Sequence, residues 1–282
     1  MTTLNQGMSP TALEGLRVID LGTFIGGPFC GTLLAEFGAE VIKVEQPGPG
    51  DPMRHWADGG QSANHSLFWA QEGRNKKALT VNLRVPEGQQ IVLDLVRWSD
   101  ILVENYQPGT VEKWNLGYDN LKAVNPGIIM VRVSGYGQTG PYSHKPGFAR
   151  VAQAFGGLAY LAGEPGGPPL TPGSTTIADY CSGLFAAFGA LVAKQYRDRT
   201  GEGQVVDLAL YESIFRIMDN LGVVYSHSKQ GREAVGMGTP YAVPHGHFRT
   251  QDGKWVAIAC TNDRMWSRLC QAMDRAELAT DP

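Results

Sequence analysis

The chain has 282 residues, 43% of them hydrophobic, and its 24 basic and 27 acidic side chains give a net charge of −3. A chain of this length and composition can form one large hydrophobic core, or the cores of one domain and part of a second. No basic block indicates a nucleic-acid partner, and no apolar run approaches the length that a bilayer crossing needs. The first 15 residues lack the charged and apolar segments of a secretion signal, so they are predicted to be a flexible lead-in.

The four cysteines are Cys30, Cys181, Cys260 and Cys270, and all lie within apolar stretches without the spacing of a metal site. This distribution predicts unpaired thiols in a reducing, cytoplasmic environment. Cys181, two residues after Asp179, is a candidate thiol nucleophile, but no histidine lies near it in the sequence. The simpler interpretation is that Cys181 packs as a small hydrophobic residue.

A β-α-β pattern opens the chain. Residues 17–21 (RVIDL) and 40–44 (EVIKV) are predicted to be buried strands, separated by a glycine-containing turn and an apolar helix over 28–37. The turn, GTFIGGP, lacks the GxGxxG spacing with which backbone amides hold a dinucleotide pyrophosphate. An NAD-dependent oxidoreductase is therefore kept as an alternative, supported only by this pattern and by Glu45 after the second strand.

Strands and helices continue to alternate. Strands are predicted within residues 74–83 and over 101–104, 128–133 and 205–210, and helices over 86–98, from Asp179 onward and over 211–228. This alternation predicts an α/β fold whose Rossmann-like large domain has a parallel sheet and binds ligands at the carboxyl ends of its strands.

The last part of the chain has a different pattern. Residues 231–244 are rich in glycine and proline, a hairpin follows with a type I′ turn predicted at Asp252-Gly253, and residues 262–273 form an amphipathic helix. This predicts the start of a smaller α+β domain, with residues 1–225 in the large domain and 226–282 in the small one. His245 and His247 would share one face of a strand, but no third ligand stands nearby, so no metal site is predicted.

Residues 172–213 combine a polar loop with a carboxylate and a helix of small residues. The loop PGSTT leads to Asp179, glycines and alanines follow at helical spacing, and RTGEGQ precedes a strand. Asp179 would stand at the N-cap, where the helix dipole favours the carboxylate, and the simplest interpretation is that it only caps the helix.

This stretch resembles the class III CoA-transferase family, and the resemblance extends from Leu13 to the last residue. The shared blocks PGFAR, TPGSTT, ADY and PHGHF are most similar to the succinyl-CoA-dependent members that use malate or citramalate. The resemblance implies that Asp179 is a covalent nucleophile. It also implies an interlocked homodimer and, because family members continue beyond this length, a small domain that is cut short.

The resemblance further implies which residues bind the substrates. Contacts with CoA are expected at Ile25, Gly26, Val81, Arg84, Asn105, Tyr106, Lys113 and Lys145, and contacts with the acid at Phe148, Arg150 and His247. Arg84, Lys113 and Lys145 are the basic candidates for the CoA phosphates, because Gln46 stands where formyl-CoA transferases have an arginine. Arg150 is hypothesised to hold the distal carboxylate of a dicarboxylic acid, with a surface arginine as the simpler interpretation.

The activity implied is the transfer of CoA between carboxylic acids through aspartyl intermediates, with CoA as part of the substrate and no tightly bound cofactor. Related racemases use an aspartate with a histidine, but their Gly-His-Asp block is replaced here by Gly147, Phe148 and Ala149. A racemase and a non-catalytic CoA-binding protein remain alternatives.

Overall fold

The computed structural model describes residues 11–56, 61–62 and 65–280; most of the predicted lead-in lies outside them. The chain divides into two compact units. The large unit takes the described residues up to Gly156 together with Thr176–Ile217, and the small unit takes Gly157–Thr175 and the described residues from Met218 onward. The sequence predicts one domain boundary near residue 226. In the structure the chain passes between the two units three times, after Gly156, after Thr175 and after Ile217.

A six-stranded parallel sheet forms the centre of the large unit. Its strands are β1 (Arg17–Asp20), β2 (Glu40–Glu45), β5 (Lys76–Thr80), β6 (Ile101–Glu104), β7 (Ile129–Ser134) and β8 (Val205–Ala209), and their order is β5-β2-β1-β6-β7-β8. A separate two-stranded ladder joins β3 (Gln61–Ser62) and β4 (His65–Ser66). The larger sheet has the strand order of dinucleotide-binding folds, in which the direction of winding reverses between β1 and β6. The predicted Rossmann-like α/β fold is confirmed.

Helices cover both faces of this sheet. They are α1 (Gly26–Glu36), α2 (Leu67–Glu72), α3 (Pro86–Trp98), α4 (Thr110–Lys113), α5 (Tyr118–Val124), α6 (Ala149–Phe155), α8 (Ile177–Thr200) and α9 (Leu210–Arg216). On one face, Ile19 and Met130 pack in a buried cluster with Val92 of α3 and Leu121 of α5. Side chains alternate along a strand, so Val133 points to the opposite face, which α1 and α8 cover.

Helix α8 is the central helix of the large unit. A Cβ built on Gly183 would lie 2.7 Å from Cδ1 of Phe29, and one on Gly189 would lie 2.9 Å from Cγ1 of Val206. The small residues therefore allow close packing on α1 and β8, as predicted. With 24 residues α8 is long and apolar enough to cross a bilayer by length and composition alone. The expectation that no apolar run approaches that length is wrong for this helix, whose buried alanines pack inside the unit.

The small unit contains short helices and a hairpin. Its elements are α7 (Leu158–Leu161), α10 (Leu221–Ser228), β9 (His245–Arg249), β10 (Trp255–Ala259) and α11 (Asp263–Ala272). The predicted hairpin is present, but its turn is not type I′. Thr250 N–H donates to the Lys254 carbonyl at 2.8 Å, so three residues form the loop and only Gly253 has a positive φ, of 81°.

The helix predicted over residues 211–228 is two helices. The first, α9, ends at Arg216, and α10 begins at Leu221. Asp219 between them has a φ of 52°, in the left-handed region that breaks a right-handed helix. The break coincides with the passage from the large unit to the small one at Met218.

Candidate active site

The loop after β1 lies where the winding of the sheet reverses, and buried charged side chains hold its backbone in place. Asp20 accepts the Gly22 N–H at 3.0 Å, and Lys43 donates to the Gly22 carbonyl. Asp51 accepts the Phe24 N–H at 3.3 Å and lies 3.1 Å from Lys43 Nζ. Phe24 has a φ of 59°, which costs free energy in a residue other than glycine. The ionic contacts keep this strained loop in one conformation.

Asn105, the first residue after β6, joins that strand end to the β1 loop. Its amide group makes two hydrogen bonds with Thr23: Oδ1 accepts the Thr23 N–H and Nδ2 donates to the Thr23 carbonyl, both at 2.8 Å. The next residue, Tyr106, packs edge-on against Trp114 and donates its N–H to Glu104 at 2.8 Å. The two loops at the reversal point therefore form one connected rim.

Asp179 lies in the first turn of α8, near Gly26. The N-cap of the helix is Thr176, so Asp179 is the third helical residue and not the cap that the sequence predicts. The loop ends earlier than the pattern suggests, because Ile177 and Ala178 already have helical geometry. The carboxyl group still lies within the first turn, where the helix dipole favours the carboxylate, but burial outweighs that effect and raises the pKa of Asp179.

The carboxyl group of Asp179 is mostly surrounded by apolar groups. A Cβ built on Gly26 would lie 3.4 Å from Asp179 Oδ1 and 3.6 Å from both Leu210 Cδ2 and Val133 Cγ1. Burial raises the pKa of Asp179 to about 7, and no charge or hydrogen-bond donor among the described residues offsets that effect. The group therefore has two protonation states near neutral pH and no partner in the described part of the chain.

The other strand-end acids are already paired. Glu45 accepts two hydrogen bonds from Arg54, both at 2.6 Å, and Glu104 accepts one from Arg132 at 2.7 Å. Burial also raises the pKa of the Cys181 thiol, which disfavours the thiolate. These groups are weaker candidates for a nucleophile than Asp179.

Two cavities lie at the carboxyl edge of the sheet. The Asp179 cavity has about 290 Å³ and is lined by residues 23–26, 105–108, 133–135 and 145–148 together with Asp179 and Leu210. The Arg84 cavity has about 430 Å³ and is lined by residues from the ends of β2 and β5, including Lys43, Val81, Arg84 and His55. Thr23 and Tyr106 line both, so an extended ligand can occupy the two cavities together.

Most of the predicted site residues line these cavities. Ile25, Gly26, Asn105, Tyr106, Lys145, Phe148 and Asp179 line the Asp179 cavity, and Val81 and Arg84 line the other. Lys113, at the end of α4, and Arg150, the second residue of α6, are exposed and line neither cavity. His247 belongs to β9 in the small unit. The roles expected for these three stay predictions.

Sequence reasoning missed the residues that hold the site together. Asp20 and Lys43 are buried charges within strands that were predicted to be apolar. A charged residue inside RVIDL or EVIKV could have indicated a buried ionic contact. Ser134, at the end of β7, also lines the Asp179 cavity and was not singled out. The described residues contain no group of three or more potential metal ligands.

Comparison with known proteins assigns the family. The model of "CoA-transferase family III" matches residues 13–282, and the chain belongs to that family. It is 50% identical over 280 residues to the succinyl-CoA–L-malate CoA-transferase alpha subunit of Chloroflexus aurantiacus, covering 99% of this chain and 65% of that one. It is 48% identical over 273 residues to the succinyl-CoA–D-citramalate CoA-transferase of the same species, covering 97% of this chain and 67% of that one. The chain thus spans about two thirds of the length of these relatives.

A solved structure is similar in fold. The crystal structure of a CAIB/BAIF family protein from Brucella suis matches with a TM-score of 0.84 and 33% sequence identity. The match covers 97% of this chain and 72% of that one. The fold and the family therefore agree with the resemblance that the sequence motifs indicate.

Proposed function

We propose that this chain transfers CoA from succinyl-CoA to an acceptor dicarboxylic acid such as malate or citramalate, with Asp179 as the covalent nucleophile. The observation that carries the proposal is the Asp179 carboxyl group, which lines a cavity at the carboxyl edge of the sheet without a partner among the described residues. The names of relatives that are 48% and 50% identical support these donors and acceptors.

The reaction begins with the Asp179 carboxylate. One of its oxygens attacks the thioester carbon of succinyl-CoA, the carbon–sulfur bond breaks, and the electron pair leaves with the CoA thiolate. The product is a mixed anhydride between succinate and Asp179. A carboxylate is a weak nucleophile toward a thioester, but contact within a cavity supplies the effective concentration that solution lacks.

The remaining steps return Asp179 to its starting state. The thiolate attacks the aspartyl carbonyl carbon and releases succinate, which leaves an aspartyl-CoA thioester. The acceptor carboxylate attacks that thioester and releases the thiolate again, which then attacks the acceptor's acyl carbon. New acyl-CoA forms and the carboxylate of Asp179 is restored. No electron is gained or lost overall, so the reaction consumes no nicotinamide.

The two cavities suit the two ends of an acyl-CoA. We assign the thioester to the Asp179 cavity and the phosphate-bearing end to the Arg84 cavity. Arg84 supplies a permanently charged guanidinium there. The CoA arm would pass Thr23 and Tyr106, which line both cavities.

Mass spectrometry of the products tests the proposal. The chain is incubated with succinyl-CoA and, in separate reactions, L-malate, D-citramalate and butanoate. We expect succinate and the new dicarboxylic acyl-CoA in equal amounts, with butanoate the poorest acceptor. Inversion of an acyl-CoA without a new thioester would favour a racemase, and binding of CoA without any product would favour a non-catalytic protein.

We also propose that the chain forms a homodimer. The side of α8 that is not packed on the large unit carries Leu184, Phe188, Leu191 and Val192, of which Leu184 is 56% and Phe188 66% exposed. These residues recur at helical spacing and make one apolar stripe, which favours contact with a second copy. Sedimentation should give a dimer that Phe188→Glu converts to monomers; a monomeric wild-type chain would contradict this.

The cytoplasmic location stays a prediction.

A further inference from the structure

Ser134 presents a buried hydroxyl group without a partner. It is the last residue of β7 and only 7% exposed, and its Oγ makes no hydrogen bond within the described part of the chain. Buried polar groups are nearly always paired, and an unpaired one costs free energy. Because Ser134 lines the Asp179 cavity, a bound ligand can supply the missing partner.

The hydroxyl does not lie beside the reacting carboxyl. The preceding residue, Val133, is the one near Gly26 and Asp179. A Cβ built on Gly26 would lie 3.6 Å from Val133 Cγ1 and 3.4 Å from Asp179 Oδ1. Successive side chains of a strand point to opposite faces, so Ser134 points away from Asp179. The cavity therefore has a reacting end at Asp179 and a second polar group across the end of β7.

Lys145 lines the cavity from a segment that lies against the end of β7. It is exposed, and its ammonium group lies 3.8 Å from the centroid of the Tyr142 ring. The segment that contains Lys145 crosses the end of β7 at two glycines. A Cβ built on Gly135 would lie 2.7 Å from Gly147 Cα, and a Cβ built on Gly147 would lie 2.7 Å from Gly135 Cα. Ser134 precedes one of these glycines, and Lys145 is two residues before the other. Lys145 is the only cationic side chain among the described residues that line the Asp179 cavity.

The strand order indicates which part of the substrate reaches this end. The Arg84 cavity lies at β2 and β5, and the two cavities meet at Thr23 after β1 and Tyr106 after β6. A CoA arm that enters from the Arg84 cavity therefore crosses β1 and β6 before its thioester reaches Asp179. The acyl group then extends onward, past β6, to β7 and Lys145.

We propose that Ser134 and Lys145 form the subsite for the second carboxylate of the dicarboxylic substrates. The inference rests on the proposed function and assigns a role within the same site. An ammonium group and a hydroxyl donor together suit a carboxylate, because hydrogen bonds to a charged acceptor are the stronger ones. The succinyl group and the incoming acid would use the subsite in turn, since succinate leaves before the acceptor enters. In this proposal Lys145 binds the acid and not the CoA phosphates, which is the role that the resemblance suggests for it. It takes the role that the sequence suggests for Arg150.

Two variants test the subsite, Ser134→Ala and Lys145→Met. We expect Ser134→Ala to lower kcat/KM for malate and for succinyl-CoA about threefold to tenfold, and Lys145→Met to lower both about tenfold or more. With butanoate and butanoyl-CoA, which lack the second carboxylate, Ser134→Ala should match the wild type, and Lys145→Met should lose clearly less kcat/KM than it loses with the dicarboxylic substrates. Ser134→Ala should not destabilise the unliganded chain, because its hydroxyl group has no partner to lose.

Matched controls are Ser99→Ala and Lys122→Met. Ser99 is also a buried serine, and Lys122 also lies over a tyrosine ring, but neither lines these two cavities. Both controls should retain the wild-type preference for dicarboxylates.

Binding measurements separate failure of the subsite from failure of the proposed function. By calorimetry, the wild type should bind succinyl-CoA more tightly than butanoyl-CoA, both variants should lose that difference, and the dissociation constant of CoA itself should stay unchanged. Equal losses for mono- and dicarboxylates, a preference that survives in both variants, or weaker CoA binding by Lys145→Met would overturn the subsite. If the wild type binds acyl-CoA with this preference but forms no transfer product, the proposed function fails and the subsite stands.

Discussion

Gly26 leaves room in front of the Asp179 carboxyl group: a Cβ built on this glycine would lie 3.4 Å from Oδ1. That separation is an ordinary van der Waals contact, so a single methyl group fits beside the carboxyl. In the proposed mechanism, the two further methyl groups of valine would instead occupy the space that the thioester carbon needs. A residue without a side chain would thereby control access to the Asp179 carboxylate.

Gly26→Ala should change kcat/KM little, whereas Gly26→Val should lower it about 100-fold, because misplacement of a reacting group by about 1 Å has effects of that size. Steady-state kinetics with succinyl-CoA and malate measure both. Gly231→Val is the control, since nothing lies within 4 Å of a Cβ there. Equal effects of alanine and valine at Gly26 would contradict the steric account.

The pH dependence of turnover should follow Asp179. Burial raises the pKa of Asp179 to about 7, and in the proposed mechanism only the carboxylate attacks the thioester. The value of kcat/KM for succinyl-CoA should therefore be level above that pH and fall about tenfold per unit below it. A profile that is level down to pH 5 would show that the attacking group is not a carboxyl group with a raised pKa.

The free energy of unfolding should also depend on the ionisation of Asp179, but it should fall, and not rise, as the carboxylate forms. The folded state favours the protonated carboxyl, so ionisation costs stability as pH rises from the unfolded pKa through the folded one. Asp179→Asn removes that ionisation and should raise the free energy of unfolding at pH 8 by about 1–3 kcal/mol. One unit of pKa shift corresponds to about 1.4 kcal/mol, and the partial exposure of the side chain reduces the gain. The gain should be smaller at pH 5. Urea unfolding at both pH values measures it, and a loss of stability at pH 8 would contradict the burial of an unpaired carboxylate.

Asn105 should affect both stability and CoA binding. Asn105→Ala removes two hydrogen bonds of 2.8 Å to Thr23 and should cost about 1–3 kcal/mol of stability. It should also weaken CoA binding, because Thr23 lines both cavities. Asn125→Ala is the control: the Asn125 amide group also bonds only to backbone, donating to the carbonyls of Val96 and Ser99 and accepting the Gly127 N–H. It should lose stability and keep the CoA affinity; equal loss of affinity in both variants would contradict a local role for Asn105.

Lys43 should be among the most sensitive charges in the chain. Its side chain is 1% exposed and lies 3.1 Å from Asp51, so Lys43→Met leaves the buried Asp51 carboxylate without this cation, whereas Asp20 keeps Lys76 at 2.9 Å. Loss of one partner of a buried pair costs about 3–5 kcal/mol. Lys77→Met breaks an exposed pair with Glu40 and should cost less than about 1 kcal/mol. Denaturant unfolding compares them, and equal costs would contradict the buried ionic cluster.

Local patterns predicted the elements well. The helix over residues 86–98 and the strand over 101–104 have the predicted bounds, because apolar spacing and Pro86 act within a few residues. The parallel sheet followed from the alternation of strands and helices. The break at Asp219 was missed because its cause, passage of the chain between two units, is not local.

The site was predicted in part. Asp179 and most of the residues expected to contact CoA line the two cavities, because those residues follow strand ends or begin a helix; their contacts with CoA stay predictions. The ionic contacts among Asp20, Lys43 and Asp51 join residues from three segments, and no local pattern indicates which charges meet. The position of Lys145 in the Asp179 cavity depends on the crossing at Gly135 and Gly147, which only the fold brings together.

Trapping of the covalent intermediate tests the central claim most directly. The wild-type chain and Asp179→Asn are incubated with succinyl-CoA, treated with hydroxylamine or borohydride, digested and mapped by mass spectrometry. We expect modification of Asp179 alone in the wild type, none in the variant, and turnover of the variant lowered by about three orders of magnitude or more, roughly 4 kcal/mol of transition-state stabilisation. A label on another residue, or an Asp179→Asn variant with near-normal turnover, would contradict the account.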